Sequence, residues 1–208
     1  MREVARHLAP PVVAVVGAMD GIGRTTVATL LAWAIGDLER GVPALVLDLG
    51  APGLDGGVGR GRREEAPARC AAIVVDMPSD ATGRALDTLR SADAVVVVAS
   101  PTPDGITSAV RAIRRLARVA PHARAWVVVN RATPSAARAT FAAIEDCCAA
   151  LDGCAPVELR FLCSVARDAA LARACHTQIP AHAEPGIDSW NLAAARRAAG
   201  ALTHEVSP

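Results

Sequence analysis

Six short segments rich in branched apolar residues divide this chain, with longer helix-type patterns between them. The segments lie at 12–17, 43–49, 71–77, 93–100, 125–130 and 157–162. In most of them the apolar residues are consecutive and do not alternate with polar ones, as expected for strands covered on both faces. The helical patterns lie at about 25–39, 80–91, 105–119, 134–151, 165–176 and 188–204. This alternation predicts a doubly wound α/β fold, in which helices cover both faces of a mostly parallel sheet.

The 208 residues suffice for one well-buried domain, and no repeat or linker divides them. We therefore predict a single domain over 1–208, with 50–69, a segment rich in Gly and Arg, as a flexible loop. Aromatic residues make up only 2% and Tyr is absent, so the core must consist of Ala, Val, Leu and Ile. The net charge of +1 gives no reason to expect nucleic acid or a membrane as the main partner.

Cysteine usage and the chain ends favour a cytoplasmic protein. The six cysteines form no C-x-x-C pair, and no histidine lies at metal-finger spacing from them. The N-terminal residues lack the apolar core of a signal peptide, and no apolar run approaches 18 residues. The Ala-rich C-terminal helix lacks large apolar anchors, so we expect no membrane insertion.

A glycine-rich segment, GAMDGIGRTT at 17–26, joins the first strand to the first helix. Two kinds of nucleotide site fit it. Gly17, Gly21 and Gly23 have the G-x-x-x-G-x-G spacing of a dinucleotide-binding turn. A P-loop has the same setting but ends in G-K-[ST], where this chain reads Gly23-Arg24-Thr25. Both types bind phosphate at a helix N-terminus, so the glycines alone do not decide between them.

The remaining sequence argues against a dehydrogenase. A short-chain dehydrogenase needs a Tyr-x-x-x-Lys pair, and this chain has no Tyr. The carboxylate that would hold the ribose is expected about 20 residues after the glycines, whereas Asp48 lies 25 residues beyond Gly23.

Several segments together resemble the ParA/MinD family of deviant P-loop ATPases. They are the loop MDGIGRTT, the strand end LVLDLGAPG, the Walker B-like IVVDMPSD, the region SADAVVVVASPTPDG, the strand WVVVNR and the C-terminal DSWNLAAARRAAGAL, so the resemblance covers about 12–204. It implies ATP or ADP with Mg²⁺ as cofactor, held between two subunits of a homodimer.

The resemblance also assigns roles to individual residues. The phosphate-binding loop would comprise Gly21, Gly23, Arg24, Thr25 and Thr26. Thr25 and, through water, Asp76 would hold Mg²⁺, while Asp48 would lie near the γ-phosphate and Asn130 would contact the adenine. Arg24 and Asp48 are the candidate catalytic groups.

Several family positions are changed, and most of the changes alter charge. Met19 replaces the signature lysine that reaches the partner subunit's phosphates, and Gly50 replaces the second Asp of a D-x-D pair that orients water. Arg24 replaces the loop lysine, Ala18 the first Walker A glycine and Asp20 another family glycine. Phosphoryl transfer depends mainly on electrostatic stabilisation. These losses therefore predict slow or absent hydrolysis.

Asp20 can act in three ways. Its carboxylate could repel a bound phosphate, point into solvent, or pair with Arg24 and fill the phosphate site itself. The sequence leaves all three open.

We therefore predict a positioning or assembly factor with a degenerate nucleotide site, acting through protein partners. The alternatives are a slow partition or positioning ATPase that uses Arg24, and a ligase of the wider P-loop group similar to dethiobiotin synthetase. Only 28 residues separate Asp48 from Asp76, far fewer than in the family, which also favours a static role. Arg111, Arg115 and Arg118 share one helix face, which is a candidate surface for non-specific DNA binding.

Overall fold

The structure is a computed structural model of the chain. It describes residues 10–39, 42–50, 70–121, 123–150, 157–177 and 186–206. The strands are β1 (Val12–Val16), β2 (Leu45–Asp48), β3 (Ile73–Asp76), β4 (Ala94–Ala99), β5 (Ala125–Asn130) and β6 (Leu159–Val165). The helices are α1 (Arg24–Leu38), α2 (Arg84–Ser91), α3 (Pro103–Val119), α4 (Pro134–Ala149), α5 (Ala169–Thr177) and α6 (Ser189–Val206). The loop predicted at 50–69 lies outside the described residues, apart from Gly50.

The six strands form one sheet in the order β2-β3-β1-β4-β5-β6, and every pair is parallel. Helices cover both faces, which confirms the predicted fold class. Val13 and Val15 pack in a cluster with α1, α5 and α6. Their neighbours Val12, Ala14 and Val16 pack in a second cluster with α2, α3 and α4. Every residue of β1 is therefore buried, which explains its continuous apolar sequence.

The order of the strands creates a switch point beside β1. β1 pairs with β3 on one side and with β4 on the other, so the chain leaves β1 where the strand order reverses direction. Ligands of open α/β sheets bind outside the carboxyl ends of the strands at such a point. Asp76 at the end of β3 is in register with Val15 and Asp48. The loop after β1 and two carboxylates thus meet at one edge.

Two helices begin later than the sequence predicts: α2 starts at Arg84 instead of about 80, and α5 starts late because β6 is longer. β6 continues to Val165 instead of ending at 162, and α5 begins at Ala169 instead of about 165. Asp168 sets this boundary, because its Oδ1 accepts hydrogen bonds from the backbone N–H groups of Ala170 (2.9 Å) and Leu171 (3.0 Å). Its Oδ2 accepts from the N–H of Asp188 at 2.9 Å. Burial tends to raise the pKa of Asp168, but hydrogen bonds to the carboxylate lower it below its usual value.

Candidate functional site

Residues 17–23 form the loop between β1 and α1. Gly21 (φ 71°) and Gly23 (φ 93°) both have left-handed backbone conformations, which glycine adopts without strain. Gly23 caps α1, and among the described residues no side chain hydrogen-bonds to this cap. The first turn of α1 contains no acidic residue. The N-terminus of α1 therefore retains the backbone donors and the positive end of the helix dipole that favour an anion.

The Arg24 side chain folds back onto the loop and the end of β3. Its Nη1 donates to the carbonyl oxygen of Gly17 at 3.0 Å. Its Nη2 lies 3.6 Å from Asp20 Oδ1, and its Nε lies 3.7 Å from Asp76 Oδ1. The Arg24 side chain as a whole is only 16% exposed. One protein oxygen therefore lies near each of its three nitrogens.

Asp20 contacts Arg24 while remaining open to solvent. Its side chain is 86% exposed, and its Oδ1 accepts a hydrogen bond from Ser79 Oγ at 3.0 Å. This bond connects the loop after β1 with the segment after β3. Of the three roles considered for Asp20, the arrangement shows features of two, the pairing with Arg24 and the exposure to solvent. Because Asp20 is so exposed, an ion pair at 3.6 Å contributes little free energy, so a ligand could displace it at small cost.

Thr25 and Asp76 lie together at the base of the loop. Thr25 Oγ1 donates to Asp76 Oδ2 at 2.5 Å, while the buried Oδ1 of Asp76 has no hydrogen-bond partner among the described residues. Burial raises the pKa of Asp76, although the Thr25 hydrogen bond and the Arg24 charge act in the opposite direction. A hydroxyl beside a carboxylate with an unsatisfied oxygen fits a hard divalent cation such as Mg²⁺. Here Arg24 supplies the cation nearest to that oxygen.

We expect Asp76→Asn to increase the free energy of unfolding at neutral pH. Because the folded state raises the pKa of Asp76, keeping this carboxylate ionised costs stability above that pKa. The cost disappears as the pH falls below the pKa that Asp76 has in the unfolded chain, about 4. Urea unfolding of both proteins at several pH values should therefore show a gain that shrinks on acidification. A gain that is independent of pH would contradict this account.

Asn130 supports the loop from β5. The side chain is buried, Nδ2 donates to the carbonyl oxygen of Ile22 at 2.9 Å, and Oδ1 accepts from the N–H of Arg131 at 3.0 Å. It packs so closely that a Cβ atom on Gly23 would lie 2.0 Å from Asn130 Nδ2. The predicted adenine contact of Asn130 stays a prediction, whereas the bond to Ile22 fixes the loop on the sheet.

The remaining predicted residues surround this centre. Asp48 is exposed, and its Oδ1 accepts from the N–H of Gly50 at 2.8 Å. Thr26 is half-buried in the first turn of α1. Met19 packs against the core cluster beside α1, so an apolar side chain occupies the place where the resemblance expects a lysine. The structure thus brings Arg24, Thr25 and Asp76 into contact and holds Asp48 on the neighbouring strand.

The arginines predicted to contact DNA lie on α3, which packs on the sheet face opposite α1. Arg111 and Arg118 are exposed and Arg115 is half-buried. Arg111 and Arg115 also line a cavity that reaches Gly17 and Ser79. The spacing of these arginines predicts that they share one helix face, but nothing in the sequence indicates the cavity, because it forms only when α3 packs beside the loop.

In the part of the chain that the structure describes, no helix is both long and apolar enough to cross a membrane. No cluster of three or more His, Cys, Asp or Glu side chains suited to a metal ion occurs among the same residues. The Thr25–Asp76 pair, with a single carboxylate, is not a cluster of that kind.

No protein-family model and no curated protein sequence matches this chain. Solved structures do match it. A chain of the MinC:MinD cell division protein complex of Aquifex aeolicus aligns with a TM-score of 0.65 and 17% identity, covering 93% of this chain and 96% of that one. A ParA family ATPase from Chlorobium tepidum TLS gives 0.64 and 16%, covering 92% and 99%. The septum site-determining protein MinD of Pyrococcus horikoshii OT3, complexed with Mg-ADP, gives 0.62 and 15%, covering 93% and 96%.

The parallel sheet with its loop at the β1 switch point, together with these structural neighbours, shows a P-loop NTPase fold. Within that class the chain has a ParA/MinD-like fold, which confirms the resemblance on which the sequence prediction rests.

Proposed function

We propose that this chain is a cytoplasmic, ParA/MinD-like positioning or assembly factor whose nucleotide site hydrolyses ATP weakly or not at all. It acts through protein partners and as a homodimer. The observation that carries the proposal is the position of Arg24, whose guanidinium is bound to Gly17 and paired with Asp20 and Asp76. In this arrangement the loop's cation neutralises the protein's own carboxylates.

The charges near the loop support weak turnover. An active site for phosphoryl transfer needs cations directed at the phosphates and a group that orients the attacking water. Here Met19 is packed against the core, and Gly50 has no side chain to orient water. A phosphate that approached the N-terminus of α1 would also have to draw Arg24 away from Asp76, leaving a buried carboxylate without its counter-charge.

Nucleotide and magnesium remain compatible with part of the site. Thr25 and, through water, Asp76 would hold Mg²⁺, and the N–H groups of residues 21–26 would meet the phosphates. When bound, the metal supplies positive charge to the phosphate oxygens. The Pyrococcus structure with the same fold is a Mg-ADP complex, which supports the assignment of this cofactor class.

The decisive experiment measures binding and turnover on the same preparation. We expect calorimetric titration with Mg²⁺–ATP to give weak or no binding, and phosphate release to remain at the level of a protein-free control. Sedimentation with and without ATP should show a dimer whose population does not depend on nucleotide. Phosphate release above the protein-free control, together with ATP-dependent dimerisation, would establish the alternative, an active but slow ATPase that uses Arg24.

The basic face of α3 is a candidate surface for non-specific DNA, the other partner class that we propose. Among the described residues, no ion pair of Arg111, Arg115 or Arg118 is found. If these arginines contact phosphates, binding to a random duplex should weaken steeply with salt, and each Arg→Gln change should reduce the slope of log K against log salt by about 1. Duplex binding whose affinity does not depend on salt, or that persists without all three arginines, would exclude this surface as the DNA-binding site.

A further inference from the structure

A cavity of about 170 Å³ lies between the loop after β1 and the helices of one sheet face. Its walls come from four parts of the chain: the loop, the segment after β3, α2 and α3. The residues used below are Gly17, Met77, Leu89, Arg111, Ala112 and Arg115. Its walls lie opposite the face on which α1 packs, so it is distinct from the Thr25–Asp76 pair.

The interior of the cavity is apolar. Met77 (1% exposed) and Leu89 (4%) belong to the core cluster of this face, and Ala112 contributes only a methyl group. An apolar cavity of about 150 Å³ accepts a benzene-sized molecule. A space of about 170 Å³ therefore fits one phenyl ring or one branched alkyl group.

Two guanidinium groups border the same cavity. Arg111 and Arg115 are one helical turn apart, so their side chains lie on the same side of α3. Among the described residues, no ion pair of either arginine is found. Planar guanidinium groups bind carboxylates through paired, charge-assisted hydrogen bonds. Apolar walls combined with two such groups select an amphipathic anion.

We propose that this cavity binds a small monocarboxylate with a compact apolar body, either an aromatic ring or a branched alkyl group. The apolar body contacts Met77, Leu89 and Ala112, and the carboxylate pairs with Arg111 and Arg115. The proposal does not rest on nucleotide binding or hydrolysis, because the side chains that would contact the ligand lie outside the Arg24 network.

The position of the cavity makes its ligand an effector of the adjacent site. Gly17 and Ala18 line the cavity and begin the loop, while Met77, Pro78 and Ser79 line it immediately after Asp76. Ser79 also bonds to Asp20, which contacts Arg24. A ligand that orders these two segments changes the energy of the Arg24 network, and by linkage that network changes the ligand's affinity.

The test uses sodium benzoate and sodium 4-methylpentanoate as probes of the full chain, with benzyl alcohol as the uncharged control. Amide ¹H–¹⁵N spectra should show saturable shifts at Gly17, Ala18 and Ser79 with both carboxylates. Benzyl alcohol should bind about tenfold more weakly or worse, since it lacks the charge that the arginines recognise.

Variants distinguish benzoate binding in the cavity from binding elsewhere on α3. Arg111→Gln with Arg115→Gln should weaken benzoate binding at least tenfold, whereas Arg118→Gln, on the same helix but outside the cavity, should leave it unchanged. Ala112→Leu should abolish binding by filling the space. Circular dichroism measures whether each variant is folded. If Ala112→Leu does not fold, the arginine variants alone test the proposed binding. Absence of saturable shifts, equal binding of benzyl alcohol, or binding that survives loss of both arginines would overturn the proposal.

Discussion

Replacing Arg24 by lysine and Asp20 by glycine in one protein is expected to raise its affinity for Mg²⁺–ATP by about one to two powers of ten. Asp20 lies close to Arg24, where it would face a bound phosphate. Two unit charges 4 Å apart repel by about 1 kcal/mol in water and about 4 kcal/mol near a protein surface. The high exposure of Asp20 favours the lower part of that range, and each 1.4 kcal/mol changes affinity about tenfold.

The lysine contributes separately. It removes the planar guanidinium that joins Gly17, Asp20 and Asp76 and restores a slim point charge. Calorimetric titration of the wild type, both single variants and the double variant measures each step. Asp80→Gly is the matched control, because it removes an equal charge from an exposed position in the segment after β3.

Hydrolysis is expected to stay slow in the double variant even where binding recovers, because Met19 and Gly50 are unchanged. Recovery of binding without turnover would identify two independent losses in this site. If affinity in the double variant equals that of the wild type, the Arg24 network is not what limits nucleotide binding.

Gly23→Ala is expected to lower the free energy of unfolding by about 3 kcal/mol or more. The new methyl group would lie 2.0 Å from Asn130 Nδ2, and Asn130 is buried and bonded to Ile22. The left-handed backbone of Gly23 (φ 93°) adds a cost of about 1–2 kcal/mol for a residue with a side chain. Overpacking of a filled interior adds about 1–3 kcal/mol.

Gly21→Ala is the matched control for this prediction. Gly21 has a similar backbone conformation (φ 71°), but a Cβ there would meet nothing within 4 Å. We expect only the backbone cost, about 1–2 kcal/mol. Adding Asn130→Ala to Gly23→Ala should recover part of the loss. Urea unfolding of the four proteins tests this, and equal losses for the two glycine variants would show that Asn130 does not crowd Gly23.

The sequence was sufficient to predict the order of elements and the edge at which the site forms. Consecutive apolar residues in β1 and β4 can be satisfied only by burial on both faces, and this dictates a parallel sheet covered by helices. Asp48, Asp76 and Asn130 end their strands in the sequence, so a parallel arrangement must bring them to one edge. The end of β6 was less predictable, because the cap formed by Asp168 depends on the distant Asp188 and Asn191.

Local chemistry therefore determined which residues could form a phosphate-binding loop, since glycine spacing and strand ends are properties of neighbouring positions. Only the tertiary structure decided what Arg24 does with its charge. Its partner Asp76 is 52 positions away along the chain, and Ser79, which holds Asp20, is 59 positions from it. The sequence supplies these charges, but their pairing depends on distances that exist only after β3 packs beside β1.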